Sequence, residues 1–291
     1  MICALCPRSC HADRSTGIGF CRCDNTVRTA RIDLHYFEEP PISGTNGSGT
    51  VFFTGCNLTC VFCQNHMLRD GTLGKVQTPE SLAREYCALQ DRGAHNINLV
   101  TPSPHVPIIR SSLRIARKNG LSIPVIYNTN AYELPETIAS LSGLVDIYLP
   151  DYKYVSDQLA VRFSDAPDYN SIAIRSIHEM KKQVGPLMLN ENGIATKGLL
   201  IRHLVLPGCS FDSRAVLDSI AEHFGTETHI SVMSQFTPIP ACAGTPLNRK
   251  ITKREYERVI DHALSLGFTN MFIQDLSSSA PEYTPPFFIG C

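Results

Sequence analysis

Eight of the twelve cysteines in this 291-residue chain fall within its first 63 residues, at positions 3, 6, 10, 21, 23, 56, 60 and 63. Cys87, Cys209, Cys242 and Cys291 are scattered over the rest. With 43% hydrophobic residues the chain has enough apolar material for a sizeable core without a disulfide framework. Its first residues, Met1-Ile2-Cys3-Ala4-Leu5-Cys6, show neither the basic nor the apolar region of a secretory signal. No apolar run approaches the roughly 18 residues of a membrane span. The expectation is a soluble, cytoplasmic protein, and clustered thiols in a reducing compartment read as metal ligands.

From residue 50 onward, strand and helix signals alternate. Thr50-Val51-Phe52-Phe53 is a short β-branched and aromatic run suited to a buried strand. Thr78-Pro79-Glu80 opens a helix, and Gly93 closes it. Strands are predicted at 97–100, 124–127, 145–149, 199–206, 229–233 and 270–273. Helices are predicted at 108–119, 136–141, over much of 156–184, at 213–224, and from the Thr252/Glu255 capping box to 266. Asn192-Gly193 marks a hairpin turn. Residues 1–48 read as irregular because of their cysteines, Pro40-Pro41 and the glycine-rich stretch up to Gly49.

Repeated strand–helix units imply a parallel sheet with right-handed crossovers. Six or seven units fall short of the eight in a closed barrel. The fold class expected is therefore α/β: a partial (β/α)6-type TIM-like barrel over residues 49–291, preceded by a cysteine-rich metal-binding segment at 1–48. Ligands in such folds sit at the carboxyl ends of the strands.

One cysteine group lies at such a strand end. Gly55-Cys56-Asn57-Leu58-Thr59-Cys60-Val61-Phe62-Cys63-Gln64-Asn65 carries a Cys-x3-Cys-x2-Cys spacing. Three thiolates on a short loop can each bind one iron of a [4Fe–4S] cubane and leave the fourth iron without a protein ligand, a vacancy that four-cysteine ferredoxin sites lack. S-adenosylmethionine can chelate an open iron through its amino and carboxylate groups. One electron from the reduced cluster then breaks its sulfonium C–S bond, giving methionine and a 5′-deoxyadenosyl radical. A zinc knuckle and unmetallated core cysteines are the alternatives that spacing leaves open. No paired carboxylates, Ser-His-Asp order or His-Glu-x-x-His pattern competes with this reading.

At these residues the sequence resembles the radical S-adenosylmethionine superfamily, and within it the pyruvate formate-lyase activating enzymes. The run from His35-Tyr36-Phe37-Glu38-Glu39-Pro40-Pro41-Ile42-Ser43-Gly44 through Cys63-Gln64-Asn65 is similar to an activating-enzyme-like branch with an N-terminal cysteine segment. The resemblance implies that Cys56, Cys60 and Cys63 hold the catalytic cluster. It also places the turn that binds the cofactor amino group at Thr101-Pro102-Ser103, where the family's Gly-Gly-Glu-Pro is replaced. Contacts after the third strand fall to Asn128 and Asn130, where the family has Asp-Thr-Asn-Gly. Asp151 and Lys153 match Asp-Leu-Lys, which implies a monovalent cation near Asp151 and the cofactor carboxylate near Lys153. Gln235, after the sixth strand, is a further candidate. Reduced flavodoxin or ferredoxin is the electron donor that the resemblance implies.

The first cysteine group suits a second metal site. Cys3, Cys6, Cys10 and Cys21, with Cys23 in reserve, can fold a loop around zinc or around iron, and spacing does not separate the two. Cys209 and Cys242 follow predicted strands, where a thiol can face the active site or simply pack.

A formal net charge of −1, from 26 basic and 27 acidic residues, gives no field to gather nucleic acid. The leading functional expectation is hydrogen abstraction from a polypeptide, as in glycyl-radical activation or peptide modification. A small-metabolite substrate and a non-catalytic iron–sulfur electron carrier are the competing readings.

Overall fold

A computed structural model describes residues 2–276. The chain enters the sheet with β1 (Val27–His35), turns through the short α1 (Pro40–Ser43), and returns as β2 (Ser48–Phe53). β1 pairs antiparallel with β2, with Asp33 opposite Thr50, and with β3 (Lys75–Gln77). The irregular reading of residues 1–48 is corrected here. Charged and polar residues break the apolar alternation of β1, whose pattern is half-buried because only one face meets the core. Residues 27–35 thus belong to the barrel sheet, which leaves residues 2–26 as the cysteine-rich part.

The strand–helix alternation then appears as expected: α2 (Pro79–Asp91), β4 (Ile97–Val100), α3 (Val106–Lys118), β5 (Val125–Thr129), α4 (Pro135–Ala139), β6 (Ile147–Pro150), α5 (Asp157–Ser164) and α6 (Tyr169–Val184). The hairpin of β7 (Met188–Leu189) and β8 (Ala195–Leu204) follows, then α7 (Ser210–Phe224), β9 (His229–Met233), α8 (Lys253–Ser265) and β10 (Met271–Ile273). Capping boxes at Thr78 and Thr252 start α2 and α8 by satisfying their first free N–H groups.

The strand order is β10-β9-β8-β6-β5-β4-β2-β1-β3, and β2, β4, β5, β6, β8, β9 and β10 run parallel. β10 and β3 are opposite edges, so the sheet curls without closing. This is a partial TIM-like barrel. Helices cover its outer face and bury Leu82, Tyr86, Ile109 and Leu113 on one flank and Ile177, Val216 and Val259 on the other. All parallel strands aim their carboxyl ends at one rim, and the loops there build the site. No helix among the described residues is long and apolar enough to cross a membrane. The stretch Pro281-Glu282-Tyr283-Thr284-Pro285-Pro286 and Cys291 lie outside the described residues.

Candidate active site

Gly55, in left-handed backbone at φ 85°, turns the chain out of β2 and starts the loop that carries Cys56, Cys60 and Cys63. All three cysteines line a cavity of about 250 Å³ at the strand-end rim. Backbone hydrogen bonds fix the loop against the turn after α5, from Thr59 N to Ser164 O (3.2 Å) and from Val61 N to Phe163 O (2.8 Å). The sulfurs also receive donors: Leu58 N lies 3.4 Å and Asn130 Nδ2 3.6 Å from Cys56 Sγ, and Ser164 Oγ lies 3.0 Å from Cys60 Sγ.

Burial, reinforced by the neighbouring thiols, pushes Cys56 up to about 11 and Cys63 up to about 12. Cys56 and Cys63 thus resist ionisation unless a cation takes up the charge. Among the described residues, no three His, Cys, Asp or Glu side chains converge as they would around a single ion. Three thiols of one short loop lining one cavity, with hydrogen-bond donors on Cys56 and Cys60, match in kind and number the protein ligands of a [4Fe–4S] cluster with one open iron. All eleven described cysteines are free thiols.

Opposite the cluster loop stands a buried charge network. Arg202, inside β8, donates from Nε to Asp151 Oδ1 (2.8 Å), from Nη1 to Glu38 Oε2 (2.9 Å) and from Nη2 to Asn128 Oδ1 (2.7 Å). Lys153 Nζ takes the other Asp151 oxygen at 2.8 Å. Burial works against charge on Asp151, but Arg202 and Lys153 outweigh it and hold the carboxyl below its ordinary value. Burial also opposes charge on Lys153, and Asp151 reverses that effect and raises it. Both Asp151 oxygens are therefore engaged by side-chain cations. Beside them Glu39 is pushed up by burial, which the Arg202 guanidinium opposes.

The structure brings together Thr101, Asn128, Asn130, Asp151, Lys153 and Gln235 on the cavity wall with the three cysteines. Thr101 sits at φ 57°, the sharp turn out of β4. Pro102 and Ser103 stand back from the cavity and are buried, with Ser103 Oγ donating to Glu133 Oε1. Gln235 is tied to the loops by Gln64 Nε2, which donates to its backbone oxygen at 3.1 Å, and by Gln274 Nε2, which donates to its Oε1 at 3.1 Å. Cys209 and Cys242 are buried and do not line the cavity.

Sequence reasoning missed Glu38, which lines the cavity, and the linking role of Arg202. An arginine within the apolar run of β8 was the available signal, because a charge at such a position needs buried partners. Glu133 was also missed. Its Oε1 receives Thr129 Oγ1 (2.6 Å) and Tyr127 OH (3.2 Å), and burial, opposed by these bonds, lifts its carboxyl to about 7.

An open α/β barrel with a thiol-bearing loop at its strand ends, facing a polar, charge-lined cavity, is an arrangement that can hold a metal cluster beside an organic cofactor. Residues 50–192 match the radical SAM superfamily. The chain belongs to that superfamily and is one of its enzymes, which implies S-adenosylmethionine and a [4Fe–4S] cluster. It is similar to an uncharacterized protein of Methanocaldococcus jannaschii, with 29% identity over 272 residues that cover 90% of this chain and 74% of that one. Among solved structures, Streptococcus suis SuiB bound to S-adenosylmethionine superposes with a TM-score of 0.52 at 18% identity, covering 78% of this chain and 50% of SuiB. SuiB bound to precursor peptide SuiA gives a TM-score of 0.52 at 18% identity, covering 78% and 48%. At that identity the likeness is one of fold. The chain spans about half the length of the SuiB structures.

Proposed function

We propose that this chain binds a [4Fe–4S] cluster through Cys56, Cys60 and Cys63 and cleaves S-adenosylmethionine reductively to abstract hydrogen from a polypeptide. The observation that carries the reading is the shared cavity: the three thiols and the strand-end polar residues line one space. When bound, the cluster supplies the electron that breaks the sulfonium C–S bond and yields the 5′-deoxyadenosyl radical.

The chain's own residues hold and orient. Lys153, its charge kept by Asp151, faces the cofactor carboxylate. The Thr101 turn offers backbone oxygen to the cofactor amino group, and Asn128, Asn130 and Gln235 supply amide contacts around it. Leu58, Phe62, Val100 and Phe236 form apolar wall and limit water and stray hydrogen donors near the radical. Arg202 on Asp151 Oδ1 and Lys153 on Oδ2 together supply the side-chain counter-charge of this carboxylate.

Two features support a polypeptide substrate. The sheet is open at both edges, which leaves a side through which a chain segment can reach the cavity. The fold is also shared with SuiB, which has been solved with a precursor peptide. A glycyl-radical-activating or peptide-modifying role in the cytoplasm, driven by reduced flavodoxin or ferredoxin, follows from this reading.

The test is anaerobic reconstitution with iron and sulfide, reduction with dithionite, and addition of S-adenosylmethionine. Production of 5′-deoxyadenosine by the native chain, and its loss in Cys56→Ala, is the expected result. A fully loaded chain that makes none would overturn the proposal in favour of a non-catalytic electron carrier.

A further inference from the structure

Residues 2–26 carry little core of their own. Their regular pairing is one isolated bridge, Ile2 to Asp13, and Ile2, Ile18 and Phe20 are exposed. Among the described residues, no three of their thiols converge as they would around one ion. Yet the segment lies against the catalytic rim, and two buried arginines fasten it there. Arg14 donates from Nε to Asp24 O (2.7 Å) and from Nη1 to Pro104 O (2.6 Å) in the turn beyond β4. Arg8 reaches the loop that carries the three cavity thiols.

The Arg8 side chain is only 8% exposed. Its guanidinium packs on two rings, with Cζ 4.0 Å from the centroid of Phe20 and 5.3 Å from that of Tyr132. Nε donates to Asn57 O at 2.7 Å, and Nη1 lies 3.8 Å from Asp165 Oδ2. Asp165 follows α5, in the same turn whose Phe163 and Ser164 carbonyls accept from Val61 and Thr59. Asn57 comes directly after Cys56 and is buried. Its Nδ2 donates to Tyr132 O (2.6 Å), and its Oδ1 accepts from Asn130 Nδ2 (2.8 Å). The loop is thus held at Asn57 by its side chain from the β5 side and by its carbonyl from Arg8.

This arrangement needs a guanidinium. A planar group can stack on an aromatic face and still donate in its own plane to a carbonyl, which an ammonium cannot do. It also leaves the charge of Arg8 poorly matched. Nη2 is buried without a hydrogen-bond partner. The side chain of Asp165 is 56% exposed, so water screens that ion pair. A buried cation with so weak a counter-charge is costly unless negative charge gathers beside it. Thiolates on the adjoining loop supply such charge, and an electron added to a cluster they hold increases it.

We propose that Arg8 is a positioning residue for the cluster loop: it clamps Asn57 to the turn after α5, and its charge favours the reduced state of the cluster on Cys56, Cys60 and Cys63. This deepens the radical SAM reading and rests on it for the role of the charge, though not for the clamp. The amino-terminal segment then serves as a brace that delivers a buried cation to the cluster loop from outside the barrel.

The clamp is read by hydrogen exchange on the full-length chain. Arg8→Met should speed exchange at residues 57–61 by about tenfold or more, while β5 and α7 keep the native rate. Phe20→Ala removes one of the two rings at a partly exposed position and should speed exchange in the same residues, so it decides the matter if Arg8→Met fails to fold. Native exchange at 57–61, or an equal rise across β5 and α7, overturns the clamp. The charge is read by potentiometric titration with electron paramagnetic resonance after anaerobic reconstitution with iron and sulfide. Arg8→Met should bind as much iron as the native chain and shift the one-electron equilibrium toward the oxidised state by about threefold or more, which is about 28 mV. Arg8→Lys should recover the potential but not the exchange protection. A smaller shift in Arg8→Met, or a potential in Arg8→Lys no higher than in Arg8→Met, overturns the role of the charge. Exchange at 57–61 depends on neither iron nor cofactor cleavage, so failure of the clamp and failure of the radical chemistry remain distinguishable.

Discussion

Arg202 Nε and Asp151 Oδ1 meet at 2.8 Å inside the barrel mouth, and that contact is the centre of the cavity's charge balance. The same guanidinium holds Glu38 and Asn128, so one side chain orients residues from β5, from the end of β6 just past Pro150 and from the segment before α1. Removing it strands carboxylates that burial disfavours. Arg202→Met should cost about 3–5 kcal/mol, the penalty of breaking a buried ion pair from one side. Arg202→Lys should recover only part of that, because an ammonium cannot span three partners. Urea unfolding of the two variants measures both, and a loss below 1 kcal/mol for Arg202→Met would contradict the network's role.

Gly55 is a second point where one atom decides. At φ 85° the position is strained for any side chain, and an added Cβ would meet Cys23 Sγ and lie 2.9 Å from Cys21 O. Gly55→Ala should therefore destabilise by about 2 kcal/mol or more. Adding Cys23→Gly should restore part of the loss by opening the space. If both chains unfold at the native urea midpoint, the packing of residues 2–26 against this loop is not as described.

Glu133 sets a pH signature. Its carboxyl is lifted to about 7 in the folded chain against 4.5 for the group's ordinary value. Its raised value favours folding fully below about pH 4.5, and that advantage declines as pH rises through about 7, because the unfolded chain ionises first. Glu133→Gln keeps the acceptor for Thr129 and Tyr127 and removes the titration. The stability of the native chain relative to this variant should thus fall by a few kcal/mol between about pH 4.5 and 7 and level off above. Parallel pH series of denaturant unfolding read the difference. A flat difference curve would show that Glu133 does not titrate there.

His203 behaves in the opposite sense. Burial lowers it to about 4, with Nδ1 held 2.8 Å from Tyr152 O and Nε2 unpartnered. Its contribution is present above about pH 6.5 and is lost as pH falls toward about 4, when the unfolded chain gains the proton first. His203→Asn should move the acid-unfolding midpoint to lower pH, as circular dichroism would report.

Asn130 donates to Cys56 Sγ at 3.6 Å and to Asn57 Oδ1 at 2.8 Å. Donors to cluster sulfurs favour the reduced state. Asn130→Ala should leave iron content unchanged and lower the potential of the reconstituted cluster by up to about 50 mV, a shift worth roughly 1 kcal/mol for one electron. Potentiometric titration followed by electron paramagnetic resonance gives the value.

Several features could be read from local pattern alone. Largely apolar runs of four to eight residues, separated by helix signals, marked every parallel strand from β2 to β10, because strand period, capping boxes and glycine stops are written within a few neighbours. The Cys-x3-Cys-x2-Cys spacing at the end of β2 placed three thiols together for the same reason, since a loop of eight residues cannot separate its own members far. β1 escaped such reading, because its pairing with β2 rather than its own alternation makes it a strand. What only the tertiary structure decided were contacts between residues far apart in the chain: Arg202 on Glu38 and Asp151, Glu133 beneath Ser103, Cys23 against Gly55, and Arg8 on the cluster loop. Charge and packing partners of that kind are set by which strand ends meet at one rim, and this depends on the order and curl of the whole sheet.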